Sequence, residues 1–234
     1  RALADRGLEH FGHEILERTQ WDFFWVPGDV TIVDRDELAY LSCPRDSSYV
    51  NLVLRTRAQE RAPQLVDEVR AAHRGRMSRW MVTPTWDHTA LEVALDRGGY
   101  APDAEHAAAV LSTGVELKGG AFEVRRVGDW QGLLDWTSVV LSSFPASREP
   151  PSTSDLEDAL ALCTAPDSRV ARLVAYDDGE PISAGGLSAF GDMSFGLLWA
   201  GATLPAARGR GAYRAILAAR VALARQLGLR HVGL

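Results

Sequence analysis

Residues Leu197 to Leu217 constrain the fold of this chain more than any other stretch. An apolar run, Leu197-Leu198-Trp199-Ala200-Gly201-Ala202-Thr203-Leu204, is stopped by Pro205. Arg208-Gly209-Arg210-Gly211 follows, and Ala212-Tyr213-Arg214-Ala215-Ile216-Leu217 then opens an apolar periodicity near 3.6. The pattern is a strand, a glycine turn and a helix start. Glycine at 209 and 211 allows positive φ and close approach of a ligand to the backbone. Unpaired amides at a helix N-terminus, with the helix dipole behind them, favour an anion. Arg208, Arg210 and Arg214 add positive charge. Ala212, Ile216, Ala219, Leu223 and Leu227 fall on one predicted helix face, with Gly228 as the stop, so the turn is tied to a core. A pyrophosphate would satisfy this arrangement. A plain strand-to-helix turn with incidental arginines would also give the pattern. It is not a nucleotide P-loop, because no Gly-Lys-Ser/Thr follows, and the dinucleotide fingerprint needs a third glycine.

The remaining elements surround this turn. Residues 1–20 read as a helix on Leu3, Leu8, Phe11, Ile15 and Leu16. His10 and His13 lie there beside Glu9 and Glu14, either as metal ligands or as a solvated face; with no third ligand evident, no metal is expected. Residues 29–33 and 37–41 read as a hairpin, and 48–54 as a strand. A helix with Pro63 in its first turn carries Leu65, Val66, Val69 and Ala72. Trp80-Met81-Val82 is a short strand, Asp87 a predicted cap for a helix ending at Gly98-Gly99, and 107–111 a further strand.

After a linker at Lys118-Gly119-Gly120, residues 122–127 form a strand and Asp129 caps a helix through Leu133, Leu134 and Val139 to Leu141. Pro145 to Ser154 is a loop and 155–162 a short helix. Strands at 170–176 and 181–190 meet at Asp177-Asp178-Gly179-Glu180. Strand 193–204, helix 211–227 and a last strand from Arg230 complete the chain. The fold class is α/β (α+β), with antiparallel and parallel pairing in one sheet.

Pro205-x-x-Arg208-Gly209-Arg210-Gly211-x-Tyr213-Arg214-Ala215-x-Leu217 resembles the acyl-CoA-binding motif of the GNAT acetyltransferase superfamily, Arg/Gln-x-x-Gly-x-Gly/Ala. Arg208 and Gly211 match it, while Tyr213 stands where the family prefers Gly or Ala. The resemblance implies a mixed, mostly antiparallel sheet flanked by helices, and an acyl-CoA-binding domain over 121–234. A weak echo at 48–111 suggests a second GNAT-like half over 1–116. That half is degenerate, because Arg55-Thr56-Arg57-Ala58-Gln59-Glu60-Arg61 has no glycine.

The resemblance further implies an N-acyltransferase. Acetyl-CoA, or another short acyl-CoA, would donate to a primary amine by direct attack. The donor would lie on Ala202, Thr203, Leu204, Arg208, Gly209, Arg210, Gly211, Ala212, Tyr213 and Arg214, with one amide of 202–204 polarising the thioester carbonyl. The catalytic acid and base stay unassigned. Tyr213 is a stand-in acid, and Asp192, Glu180, Tyr176 and His231 are conceivable bases beside their plainer roles as turn, surface or core residues. Phe190, Phe195 and Trp199 would either line an acceptor cleft or pack in the core. The alternative is an inactive module that only holds acyl-CoA.

Composition bounds the partners. The 234 residues carry a net charge of −6, against nucleic acid, whose phosphates demand a basic face. No apolar run approaches the length needed to span a bilayer. Two distant cysteines, Cys43 and Cys163, give no metal or redox spacing, and a cytoplasmic setting is expected. The expected partners are a small-molecule amine or peptide acceptor and, for assembly, a second copy in a homodimer. His231-Val232-Gly233-Leu234 predicts an edge strand left unpaired, completed by roughly 30–60 further residues or by a partner chain.

Overall fold

The computed structural model describes Ile15, Arg18, Thr19 and residues 26–83, 87–105, 108–144 and 150–234. The first helix predicted from sequence, with His10 and His13, lies largely outside these residues. The chain divides into two compact units, Arg1–Ala107 and Ala108–Leu234.

In the first unit β1 (Thr31–Arg35), β2 (Leu38–Ser42), β3 (Leu52–Thr56) and β4 (Arg79–Trp80) form one sheet in that order. The first three pair antiparallel, and β4 runs parallel to β3. Helix α1 (Ala62–Ala72) links β3 to β4, and α2 (Thr89–Arg97) follows. Leu65 and Val69 of α1 pack on Leu38, Tyr40 and Val53, which alternate onto one sheet face. Two sequence expectations shift. The strand predicted at 48–54 begins at Leu52, because Asn51 holds the chain in a turn: its Oδ1 accepts the Cys43 amide and its Nδ2 donates to the Arg45 and Ser47 carbonyls. His88, not Asp87, is the N-cap of α2; Asp87 accepts from the Thr89 amide and hydroxyl just inside it.

The second unit is a six-stranded sheet with order β5-β10-β9-β8-β7-β6. Its elements are β5 (Val110–Ser112), β6 (Glu123–Arg126), α3 (Trp130–Ser143), α4 (Thr153–Thr164), β7 (Val170–Asp177), β8 (Glu180–Phe190), β9 (Phe195–Thr203), α5 (Ala212–Gln226) and β10 (His231–Gly233). All pairs are antiparallel except β9 with β10. Asp129 caps α3 by accepting the Gly132 amide at 2.8 Å, and a Ser152–Asp155 capping box starts α4. Asp178 and Gly179 both take positive φ, as a two-residue hairpin requires.

Side chains alternate along β7. Val174 and Tyr176 join Leu133, Trp136, Val139 and Val140 of α3 on one face. Ala171, Leu173 and Ala175 meet Ala212 and Ile216 of α5 on the other. The edge expected to lie open at β10 is paired: β5, which the sequence reading groups with the first half, runs antiparallel to it, with His231 opposite Ser112. Thr113 continues the seam by donating its hydroxyl to the Leu229 carbonyl at 2.7 Å. Both sheets contain the same string, three antiparallel strands, a helix, and a strand parallel to the third. Among the described residues no helix is long and apolar enough to cross a membrane, and no group of three or more potential metal ligands occurs.

Candidate functional site

The site begins as a fault in β9. Gly186 pairs with Trp199 and Ala184 with Ala202, so Ala200 and Gly201 together oppose Gly185. This is a β-bulge, and Ala200 takes the extra turn at φ +48°. Beyond it the Leu204 amide donates to the Ile182 carbonyl at 3.0 Å. Beyond the bulge antiparallel backbone groups alternate in direction, so Ala202 faces β8 with Leu204, while Thr203 faces the other edge. There β9 has no ladder, because its pairing with β10 covers Phe195 to Leu197. Of the three backbone residues expected to meet the coenzyme, Thr203 alone is aimed at the open edge. Leu204 has spent its amide on Ile182, and the Ala202 carbonyl accepts the Ser183 hydroxyl at 2.6 Å.

Pro205–Ala207 then form one tight turn. Gly209 lies at φ +73° and Gly211 at φ +91°, the N-cap of α5. Both values strongly favour glycine, and a Cβ at either position would meet nothing within 4 Å. The glycines are thus required by conformation, not by crowding, and the space above them is open. No side chain caps α5, and the Ala215 amide donates to the Gly211 carbonyl at 3.0 Å. The amides of Ala212, Tyr213 and Arg214 therefore head a 15-residue helix without an intrahelical acceptor. A pyrophosphate fits this cradle: the amides point out of an open turn and the dipole is positive there.

The arginines divide their roles. Arg208 curls back, its Nε 3.2 Å from the Thr203 carbonyl, and so braces the turn against β9. Arg210 turns to Asp177 at 2.6 Å and lies over the Phe122 ring, so its charge is partly compensated. Arg214 is exposed beside Tyr213.

Tyr213 packs under the bulge. A Cβ on Gly201 would lie 2.9 Å from its ring and 3.4 Å from its hydroxyl oxygen. Beneath it, two turns further along α5, lies Arg220, with its guanidinium carbon 5.7 Å from the Tyr213 ring centroid. Arg220 is 1% exposed. Its Nη1 donates to the Gly186 carbonyl at 3.3 Å, and its Nε and Nη2 have no hydrogen-bond partner among the described residues. Burial pushes its pKa down, opposed by the Tyr213 hydroxyl, but a guanidinium keeps its proton. The sequence reading missed Arg220. The signal was present: it follows Ile216 by four residues and so shares its buried face.

The residues considered for proton transfer scatter. Tyr176 donates to Asp135 at 2.8 Å, under the Arg125 guanidinium, in a cleft of about 130 Å³ with Asp129 and Gln131. Burial, and then the Asp135 carboxylate, push the pKa of its phenol up. Glu180 begins β8 near the Thr203 end of β9. Asp192 and His231 sit at the Phe195 end. Burial, with Arg230 adding to it, pushes the His231 imidazole below its usual value. Phe190 and Phe195 are buried in the core. Trp199 packs edge-on against Trp136 at 5.7 Å and donates its indole N–H to the Ser188 hydroxyl. The Arg172 guanidinium lies over both indole rings.

A bulged strand runs into a glycine turn and an uncapped helix start within a mixed sheet. Residues 133–234 match the model of the acetyltransferase (GNAT) family. A GCN5-related N-acetyltransferase from Kribbella flavida is similar in structure, with a TM-score of 0.59 at 12% identity, covering 97% of this chain and 84% of its own. A functionally unknown conserved protein from Staphylococcus epidermidis gives 0.54 at 14% identity, covering 93% and 87%. No curated protein matches the chain. At such identities the structures attest the fold, which is GNAT-like. Acyl transfer is the general reaction of the family whose model residues 133–234 match.

Proposed function

We propose that the second unit transfers an acetyl or other short acyl group from acyl-CoA to a primary amine of a small molecule or peptide. The carrying observation is the open Gly209–Gly211 turn at the head of α5, directly after the β9 bulge and the stretch in which Thr203 faces the open edge. The amides of Gly209 to Arg214 would hold the pyrophosphate, with Arg208 bracing the turn and Arg214 adding charge. The outward backbone of Thr203 would pair with the pantetheine arm, and the Gly201 amide would polarise the thioester carbonyl. When bound, acyl-CoA supplies an activated acyl carbon. The protein supplies position, an oxyanion donor and a proton for the leaving sulfur.

The first unit is read as a GNAT-like half without a coenzyme turn. Its strand and helix string supports this, as does the segment between β3 and α1. That segment, 57–61, has no positive φ.

Thiol release from acetyl-CoA, measured against a panel of primary amines, tests the reaction. Release above the protein-free rate with at least one amine is expected. Binding of CoA without release for any amine would instead support a module that holds acyl-CoA and transfers nothing.

A further inference from the structure

A polar cavity of about 550 Å³ opens in the first unit, where the end of α1, the turn after it and the residues that follow α2 meet. Arg70, Arg74 and Arg76 line it, against one carboxylate, that of Asp67. Three guanidinium groups around one cavity repel one another unless something answers their charge. Asp67 answers little, since its side chain is 75% exposed and 3.5 Å from Arg70. The last carbonyls of α1 are occupied. That of Val69 accepts the His73 amide at 2.8 Å, and that of Ala71 the Arg74 amide. Arg76 donates Nη2 to the Ala72 carbonyl, while its Nε is buried with no hydrogen-bond partner among the described residues. The mouth is open, for a Cβ on Gly75 or Gly99 would meet nothing within 4 Å.

The cavity wall also has a fixed hydrogen-bond polarity. His73 Nε2 lies 2.8 Å from the Leu41 carbonyl, which can only accept, so the ring hydrogen is there. Burial, with the Arg76 charge adding to it, keeps the imidazole neutral. Nδ1 must then accept from the Ser78 hydroxyl, 2.8 Å away. The Ser78 oxygen in turn accepts from Tyr100, 2.7 Å away. The Tyr100 hydrogen is thereby used, and its oxygen is left as an acceptor. Cations and one neutral acceptor thus line the same space, and their complement is an anion that carries a hydrogen to give. We propose that this cavity binds a protonated phosphate group, as free hydrogen phosphate or on a phosphomonoester. Arg70, Arg74 and Arg76 would take the anionic oxygens, and the Tyr100 oxygen would accept the P–OH hydrogen. Every residue involved belongs to the first unit, so the proposal does not rest on the acyl-CoA reading.

The test is calorimetric titration of inorganic phosphate, glycerol 3-phosphate and sulfate into the whole 234-residue chain at about pH 6.5, where the phosphates carry a hydrogen and sulfate carries none. Gly211→Val is titrated in parallel, because the turn that opens α5 is itself an anion cradle. At least one of the two phosphates should bind with a Kd of about 1 mM or tighter, to wild type and Gly211→Val alike, and about tenfold more tightly than sulfate. The tighter of the two identifies the source as free phosphate or an ester. Replacing both Arg70→Gln and Arg74→Gln, at two exposed positions, should weaken that binding about tenfold or more and leave the melting temperature unchanged. Tyr100→Phe should bring the phosphate and sulfate affinities together. Three results would overturn the proposal: no binding of either phosphate, sulfate bound by wild type as tightly as phosphate, or binding that Gly211→Val abolishes and the arginine pair leaves unchanged. None of them needs a Tyr100 variant that folds.

Discussion

His73 shows how one buried side chain ties stability to pH. Its Nε2 lies 2.8 Å from the Leu41 carbonyl and must therefore carry a hydrogen. Its Nδ1 then accepts from Ser78, whose oxygen lies 2.7 Å from the Tyr100 hydroxyl. Burial pushes the imidazole below its ordinary value; the Leu41 contact opposes this and Arg76 adds to it. The folded state thus holds the neutral ring. Below about pH 6.5 the unfolded chain binds a proton that the folded chain refuses, so stability falls as pH falls through that value. His73→Gln should lower the unfolding free energy at pH 7.5, read from urea denaturation, by about 1–3 kcal/mol of lost buried hydrogen bonding. It should also flatten the decline between pH 7 and 5. Equal slopes for variant and wild type would contradict this. Gly209 and Gly211 were legible from sequence because few other residues tolerate their backbone angles. Arg220 was legible only through its spacing of four from Ile216, a signal that competes with the usual surface role of an arginine in a helix.

At the scale of elements the β9 bulge matters most. It was not legible: Ala200 is a poor residue for φ +48°, and no glycine pattern marks it. Only the pairing of two residues against Gly185 reveals it. Left-handed backbone costs an L-residue roughly 1–2 kcal/mol, so Ala200→Gly should be neutral or stabilising by a few tenths of a kcal/mol to about 1 kcal/mol. Ala200→Val should lose about 1–3 kcal/mol, since a β-branched side chain resists this region. Denaturant unfolding of the pair measures both, and a valine variant as stable as wild type would mean that the bulge does not exist in solution. The α5 helix was legible in extent but not in face. The predicted stripe included Leu227, which is 50% exposed at the C-cap, whereas Ala215, Arg220, Val221 and Ala224 are buried. The sheet claims a broader face than a single stripe predicts. Asp129 as the cap of α3 was legible because the capping geometry is local.

For the whole molecule, the two units share a strand and helix string and differ at the segment that enters the helix. In the second unit it carries two glycines at positive φ and leads to an uncapped 15-residue helix. In the first it runs through a short turn, Gln59–Arg61, into α1 with Arg61 as N-cap at φ −106°. The mixed sheets with flanking helices were legible from alternation and turn residues. The pairing of β5 with β10 was not, because a three-residue strand carries too little pattern to choose its partner. One acyl-CoA site per chain is expected, at the turn that opens α5. Calorimetric titration of CoA into the wild-type chain and into Gly211→Val checks this. Wild type should bind with a stoichiometry of one. The variant should lose nearly all binding, because valine resists φ +91° and would fill the cradle. Two sites of similar affinity, or a Gly211→Val chain that binds CoA as well as wild type, would contradict it.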